Sequence, residues 1–429
     1  MSEKVSIKQS ISTMLKLQDQ GRYATLLGIG PMSPNLLRAS FELAKDDDFP
    51  LMFIASRNQV DKDDLGGGYV NGWDQTRFSA DIKKVADAVG FNGLYYLCRD
   101  HGGPWQRDKE RNSHLKFDEA MKLAKESYLA DIEAGFDLLM IDPTKDPFQI
   151  GKVVNLDNVI DWTVELIEYC ETERKKRNLP EIGYEVGTEE TNGGLTTTAK
   201  YENFIQRLKG ELDKRNLPMP TLIVGQTGTL TRIGVQAGEW NFENAVELGT
   251  MAKKYGVGLK EHNADYLDDV TLLLHQPAHI TACNVAPQYG TAETHALIHL
   301  TEVEQQLVKH GLVENPSNLY KVLLDKAIRN GRWTKWMEGD DDKLTVDQAL
   351  NRPDLYQIIL DVAGHYVYNE PEVKAEVAKL YANLSENNID GQRYVIDRIK
   401  DPLRQYVETL NLTGLTSDIR KNVSQTQKA

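Results

Sequence analysis

Across the first 310 or so residues, short apolar runs alternate with amphipathic stretches of helical length. Eight such runs occur, at residues 23–30, 51–56, 93–100, 138–142, 182–188, 221–226, 258–262 and 280–286. Runs without a polar face suit strands covered on both sides, and helices between them make the strands parallel. The stretch 117–134 is one of these helices, with Met121, Ala124, Tyr128 and Ile132 at helical spacing. Eight strand–helix units in about 290 residues predict an α/β fold of the (βα)8 TIM-barrel type. An open doubly wound sheet is the alternative. It is disfavoured because Gly28-Ile29-Gly30 runs into Pro31-Met32-Ser33, so the first turn lacks the G-x-G-x-x-G dinucleotide fingerprint. No G-x-x-x-x-G-K-[ST] phosphate loop occurs either, which lowers any kinase reading.

The alternation stops near residue 313. Helical patterns follow at 318–329, 346–350, 355–362, 370–386 and 391–409. The expected organisation is a catalytic barrel over 1–313 and a helical C-terminal extension over 314–429, packed on the barrel or making a subunit contact. The tail after Ser417 is polar and reads as frayed.

A net charge of −14 argues against nucleic acid or an anionic membrane as the main partner. Cys98, Cys170 and Cys283 are far apart and form no C-x-x-C pair, which fits a reducing cytoplasm and excludes a disulfide framework. The N-terminus lacks the apolar core of a signal peptide. No apolar run approaches the roughly 20 residues of a membrane helix.

Catalytic groups of such barrels come from the C-terminal ends of the strands. Here those ends read Ser56-Arg57-Asn58-Gln59, Asp100-His101, Asp142, Glu185 with Thr188-Glu189-Glu190, Gln226, Glu261-His262-Asn263 and Asn284. Charged groups beside buried strands are costly unless paired or metal-bound, so their recurrence at one end marks a site. His101 and His262 are placed to share a divalent cation, with oxygen ligands from Glu189, Asp142 or Gln226. Mixed imidazole and carboxylate ligands suit Zn²⁺, Mn²⁺, Co²⁺ or Ni²⁺. His275, His279, His295 and His299 read as structural or surface residues; the last two lack the central Glu of H-E-x-x-H.

The loop 61–73, with Gly66-Gly67-Gly68-Tyr69, reads either as a lid whose amides approach an anion or as a merely flexible glycine-rich loop. The loops after strands seven and eight carry Asp265, Asp268, Asp269 and Glu293, which repel phosphate. Cations for a charged substrate would then come from Arg57, Arg99, Arg107 or Lys145.

The sequence resembles the GatZ/KbaZ group, called the non-catalytic subunit of class II tagatose-1,6-bisphosphate aldolase and sometimes labelled tagatose-6-phosphate kinase. The resemblance rests on Ala55-Ser-Arg-Asn58-Gln59-Val60, Gly67-Gly68-Tyr69, Val89-Gly-Phe91, Asp100-His101-x-Gly103-Pro104 and Ala134-Gly135-Phe136. It continues through Asp142, Gly187-Thr188-Glu189, Gln226 and His262-x-x-Asp265-Tyr266. It implies a (βα)8 barrel related to class II aldolases, and either 4-epimerase activity on ketose phosphates or a stabilising role beside a catalytic aldolase subunit. By that resemblance Asp100 is the proton-transfer group and His101 and His262 are metal ligands; the strand-end reading adds Glu189 as an alternative proton-transfer group, and Glu189 and Gln226 as candidate metal ligands. Ser56, Asn58, Gln59, Gly68, Tyr69, Asp142 and Asn284 are the candidate substrate contacts.

Two departures stand out. The sixth strand offers Gln226 where a third histidine is wanted, and an amide is a poorer zinc ligand than an imidazole. The family's phosphate arginines, after strand eight and in the C-terminal helices, are replaced by the stretches 291–295 and 361–366, which carry none. The expected function is a metal-dependent 4-epimerase or aldolase-type enzyme acting on a ketose, its phosphate or a sugar acid. Its expected partners are the small sugar, a second copy of the chain, or an aldolase catalytic subunit.

Overall fold

The computed structural model describes residues 5–148, 154–188 and 193–426. Eight parallel strands close into a barrel in sequence order: β1 (Leu26–Ile29), β2 (Leu51–Ser56), β3 (Tyr95–Gly102), β4 (Leu138–Ile141), β5 (Gly183–Val186), β6 (Leu222–Val224), β7 (Gly258–Glu261) and β8 (Ile280–Val285). Strands β1 and β4 are buried along their whole length, as the continuous apolar runs predicted. The fold is therefore the expected (βα)8 barrel with C-terminal helices.

Local signals set the helix limits. Ser33 caps Pro34–Asp47, with Pro34 in the first turn, where a missing N–H costs nothing. Asp74 caps Gln75–Val89, and Gly90 ends it in the left-handed conformation. The sequence reading assigned nothing to residues 5–22, where a Ser6/Gln9 capping box starts the helix Ile7–Asp19. This helix closes the N-terminal end of the barrel. Ser10 Oγ lies 2.6 Å from the Tyr96 hydroxyl. A Cβ on Gly183 would strike Ile7.

The C-terminal helices lie against the barrel rather than apart from it. Gly391–Thr409 packs on Pro34–Asp47 and on Pro287–Lys309. Glu42 holds Arg393 and Lys400 at 2.9 and 2.6 Å across that seam. The tail after Ser417 is not frayed up to residue 426. Leu415–Thr426 is a helix that buries Leu415 and Ile419, and Arg22 pairs with Asp418 at 2.9 Å. Two short turns of this region, Arg332–Trp336 and Gly364–Val367, reach the C-terminal mouth of the barrel. Among the described residues no helix is long and apolar enough to cross a membrane.

Register places the polar strand ends together. Ser56 pairs with Asp100 between β2 and β3, and Gly28 pairs with Asn284 between β1 and β8. The β3–β4 register shifts between Arg99 and Gly102. His101 lies in this irregularity with φ of 45°. That backbone is unusual for a residue with a Cβ, and a bulge of this kind re-aims a side chain. Strand β3 thus runs two residues past the predicted end at Asp100.

Candidate metal and sugar site at the barrel mouth

Asp100, His101 and His262 converge at the C-terminal mouth, with one ligand atom of each within 4.8 Å of the others. His101 Nε2 and His262 Nε2 each lie 3.9 Å from the Asp100 carboxylate. The two rings meet edge to face, centroids 4.8 Å apart. Two imidazoles and a carboxylate aimed at one point fit a borderline divalent ion such as Zn²⁺, Mn²⁺, Co²⁺ or Ni²⁺.

His101 is held from behind and Asp100 from the side, whereas Glu185 meets His262 at Nε2, the nitrogen that faces Asp100. Asp142 Oδ2 lies 2.7 Å from His101 Nδ1, and Thr144 donates to the other Asp142 oxygen at 2.5 Å. Asn284 Nδ2 donates to Asp100 Oδ1 at 3.0 Å. Gly28 makes room for that amide, since a Cβ there would overlap Asn284 Oδ1. Glu185 Oε1 lies 2.9 Å from His262 Nε2, and Lys260 Nζ lies 3.7 Å from Glu185 Oε2.

Burial would raise the Glu185 carboxyl, but Lys260 and His262 outweigh it and hold the group below the usual range. Burial likewise opposes charge on His101, yet Asp100 and Asp142 raise its pKa. Asp142 is lowered against its own burial, first by His101.

A cavity of about 220 Å3 opens above this cluster. Ser56, Asn58, Gln59, Tyr69 and Asn284 line it together with Asp100, His101 and His262. Asp142 instead faces a neighbouring cavity of about 170 Å3 that shares His101, His262 and Lys145. Gly68 lies on an outer groove; a Cβ there would collide with the Gln59 and Trp73 carbonyls, so close packing explains its lack of a side chain. Gln226 is buried after β6, its N–H donating to Thr196 Oγ1, and does not border either cavity. Glu189 falls outside the described residues.

Three of the four cations expected to meet a charged substrate are committed elsewhere. Arg99 is fully buried on Asp131, at 2.8 and 2.5 Å. Arg57 pairs with Asp61 and Glu110, and Arg107 with Asp61. All three tie the loops after β2 and β3 to one another and to the helix Phe117–Glu133. Lys145 does line the cavity. Among the described residues the other cations there are Arg111, Arg332 and Lys335, which the sequence reading did not single out. It also left Glu185 without a role and passed over Lys260. The alternation in Gly258-Leu-Lys-Glu-His262 carried a signal: Lys260 and His262 share the inward face, while Glu261 points outward to His275, Thr227 and Trp240. His295 bonds Asp361 at 2.7 Å, so neither His275 nor His295 joins the site.

Known proteins resemble this chain in sequence or in fold. A family model described as D-tagatose-1,6-bisphosphate aldolase subunit GatZ/KbaZ-like matches residues 11–210. A crystal structure of a probable tagatose 6 phosphate kinase from Sinorhizobium meliloti 1021 superposes with a TM-score of 0.72 at 18% identity, covering 90% of this chain and 100% of that one. The YdjI aldolase from Escherichia coli K12 matches at 0.44 and 14% identity, over 67% of this chain and 85% of that one. The fructose-bisphosphate aldolase from Campylobacter jejuni matches at 0.48 and 11%, over 90% and 96%. The resemblance to the GatZ/KbaZ-like family that the motifs carry is thus shown over residues 11–210, the part of the chain that holds the Asp100-His101 corner.

Proposed function

We propose that this protein is a metal-dependent enzyme of carbohydrate metabolism that acts on a ketose or ketose derivative by retro-aldol chemistry, as a 4-epimerase or an aldolase. The family supports an aldolase-related role. The observation that carries the finer reading is the convergence of Asp100, His101 and His262 under one cavity, with Asp142 behind His101 and Asn284 on Asp100. Free, buried cysteines agree with a cytoplasmic setting.

His101 and His262 would hold the divalent ion, with Glu185 offering a further oxygen beside His262. When bound, such an ion polarises the ketose carbonyl and stabilises developing negative charge on oxygen. Asp142 fixes the His101 ring so that Nε2 faces the cavity. Asn284 occupies Asp100 Oδ1, leaving Oδ2 to take a proton. In this reading Asp100 accepts the C4 hydroxyl proton as the C3–C4 bond breaks. The bond electrons pass to C3, giving an enediolate and a free aldehyde. If the aldehyde turns over and C3 re-adds to its other face, Asp100 returns the proton and C4 is inverted. If the aldehyde leaves, the outcome is aldol cleavage. A second reading, a stabilising subunit for a separate aldolase, is supported by the match to a family of aldolase subunits.

The test is a panel of free, phosphorylated and acidic ketoses incubated with the purified protein, with and without EDTA. C4-inverted or cleaved products that vanish with EDTA and in Asp100→Asn are expected. No product from any ketose, together with a longer active lifetime of an added aldolase catalytic subunit, would favour the second reading.

A further inference from the structure

One carboxylate at the cavity wall gathers three cations. Arg111 and Lys335 pair closely with Asp108, and Arg332 Nη2 lies 2.7 Å from Asp108 Oδ2. All four residues line the same cavity as Asp100, His101 and His262. A single carboxylate offsets one of three positive charges, so this corner carries an excess of about two. Among the described residues, the only other carboxylates on the cavity are Asp100, at the metal end, and Asp265, which burial pushes up to about 7.

The cluster is also rigid. The Arg332 guanidinium is stacked 4.3 Å from the Tyr366 ring and 4.8 Å from the Tyr69 ring. Its Nε is buried and has no hydrogen-bond partner among the described residues. A planar guanidinium fixed by two rings, with a donor unspent, matches the fork geometry that binds carboxylate and phosphate oxygens. Arg332 and Lys335 sit on one short turn, Arg332–Trp336, that the C-terminal region lays over the barrel mouth. Meanwhile the stretches 291–295 and 361–366 are closed to an anion: His295 is bonded to Asp361, and His365 is held neutral by burial and by Arg332.

We infer that Arg332, Lys335 and Arg111, gathered on Asp108, form the subsite that binds an oxyanion at the end of the ketose remote from the reacting carbons. The inference rests on the reading of Asp100, His101 and His262 as the reacting centre. It adds that the substrate is an acidic ketose, whose charged end is a phosphate monoester or a carboxylate. The three residues recognise charge and act on KM; the proton and the bond change remain at Asp100.

The experiment is calorimetric titration of the full-length, metal-loaded protein at low ionic strength with inorganic phosphate, with D-glucuronate and with neutral D-fructose. Binding of phosphate or glucuronate, weakened at least tenfold in Arg332→Gln and in Lys335→Gln, is expected. The stronger of the two probes identifies the charged group. Lys335 is half exposed, so Lys335→Gln keeps the test readable if Arg332→Gln does not fold. In turnover, both variants should raise KM for an acidic ketose at least tenfold more than for a neutral one. Unchanged anion binding in both folded variants, or equal losses for acidic and neutral sugars, would overturn the subsite. Intact anion binding without turnover of any ketose would count against the catalytic reading alone.

Discussion

His101 Nδ1 lies 2.7 Å from Asp142 Oδ2, and this contact turns Nε2 toward the Asp100 carboxylate 3.9 Å away. The ring sits at a strand bulge with a positive φ, so the backbone alone does not fix its direction. Partners of this kind set the tautomer and basicity of a ligating imidazole. Asp142→Ala should therefore lower divalent-metal affinity by about 10–100-fold while the barrel stays folded. Competition with a chromogenic chelator measures it; unchanged affinity would remove Asp142 from the site.

Lys260, Glu185 and His262 form a buried chain inside the barrel, with both ion-pair side chains at most 2% exposed. Removing one partner leaves a charge without its counter-ion, which typically costs about 3–5 kcal/mol. Lys260→Met should cost that much in urea unfolding. Adding Glu185→Gln should recover part of the loss, because the stranded carboxylate is then gone. Additive losses would mean that the two residues do not interact.

Gly28 and Asn284 are register partners on β1 and β8. A methyl group at Gly28 would occupy the space of Asn284 Oδ1 and push the amide off Asp100. Gly28→Ala is expected to lower kcat by an order of magnitude or more, since a small misplacement of a proton-transfer group is costly. The specific readout is a fall in kcat with KM unchanged, which general loosening of the fold would not produce.

The seam between barrel and C-terminal helices should be acid-sensitive. Burial works against the Glu42 carboxylate, but Arg393, then Lys400 and Arg38, bring its pKa from 4.5 down to about 2. A folded-state pKa below the unfolded one stabilises the protein fully above about 4.5, and that stability is lost as pH falls toward 2. Glu42→Gln should destabilise the protein by roughly 2 kcal/mol at pH 7 and flatten its stability between pH 5 and 2. Parallel wild-type and variant curves over that interval would show that Glu42 contributes nothing there.

Much of this architecture was legible because its signals are local. Apolar runs such as 138–142 have no polar face, and caps such as Ser33 and Asp74 fall where periodic stretches begin. The convergence of Asp100, His101 and His262 was legible because strand ends meet at one mouth of such a barrel. Direction was harder to read. Arg57, Arg99 and Arg107 stand as close to the mouth in sequence as any residue, yet all three turn outward to Asp61, Glu110 and Asp131. Nothing local distinguishes a cation that serves a neighbouring loop from one that serves a ligand. Arg332 and Lys335 were illegible for the opposite reason. They reach the cavity from more than two hundred residues beyond Asp108, through tertiary packing that periodicity does not encode.

Metal content tests the central claim most directly. Protein purified without chelator and dialysed against metal-free buffer should retain close to one divalent ion per chain by plasma emission spectrometry. His101→Ala and His262→Ala should each lose it while keeping the far-ultraviolet dichroism of the parent. Retention of the full complement by both variants, or an unmodified protein that takes up no divalent ion when Zn²⁺, Mn²⁺, Co²⁺ and Ni²⁺ are supplied, would contradict the account.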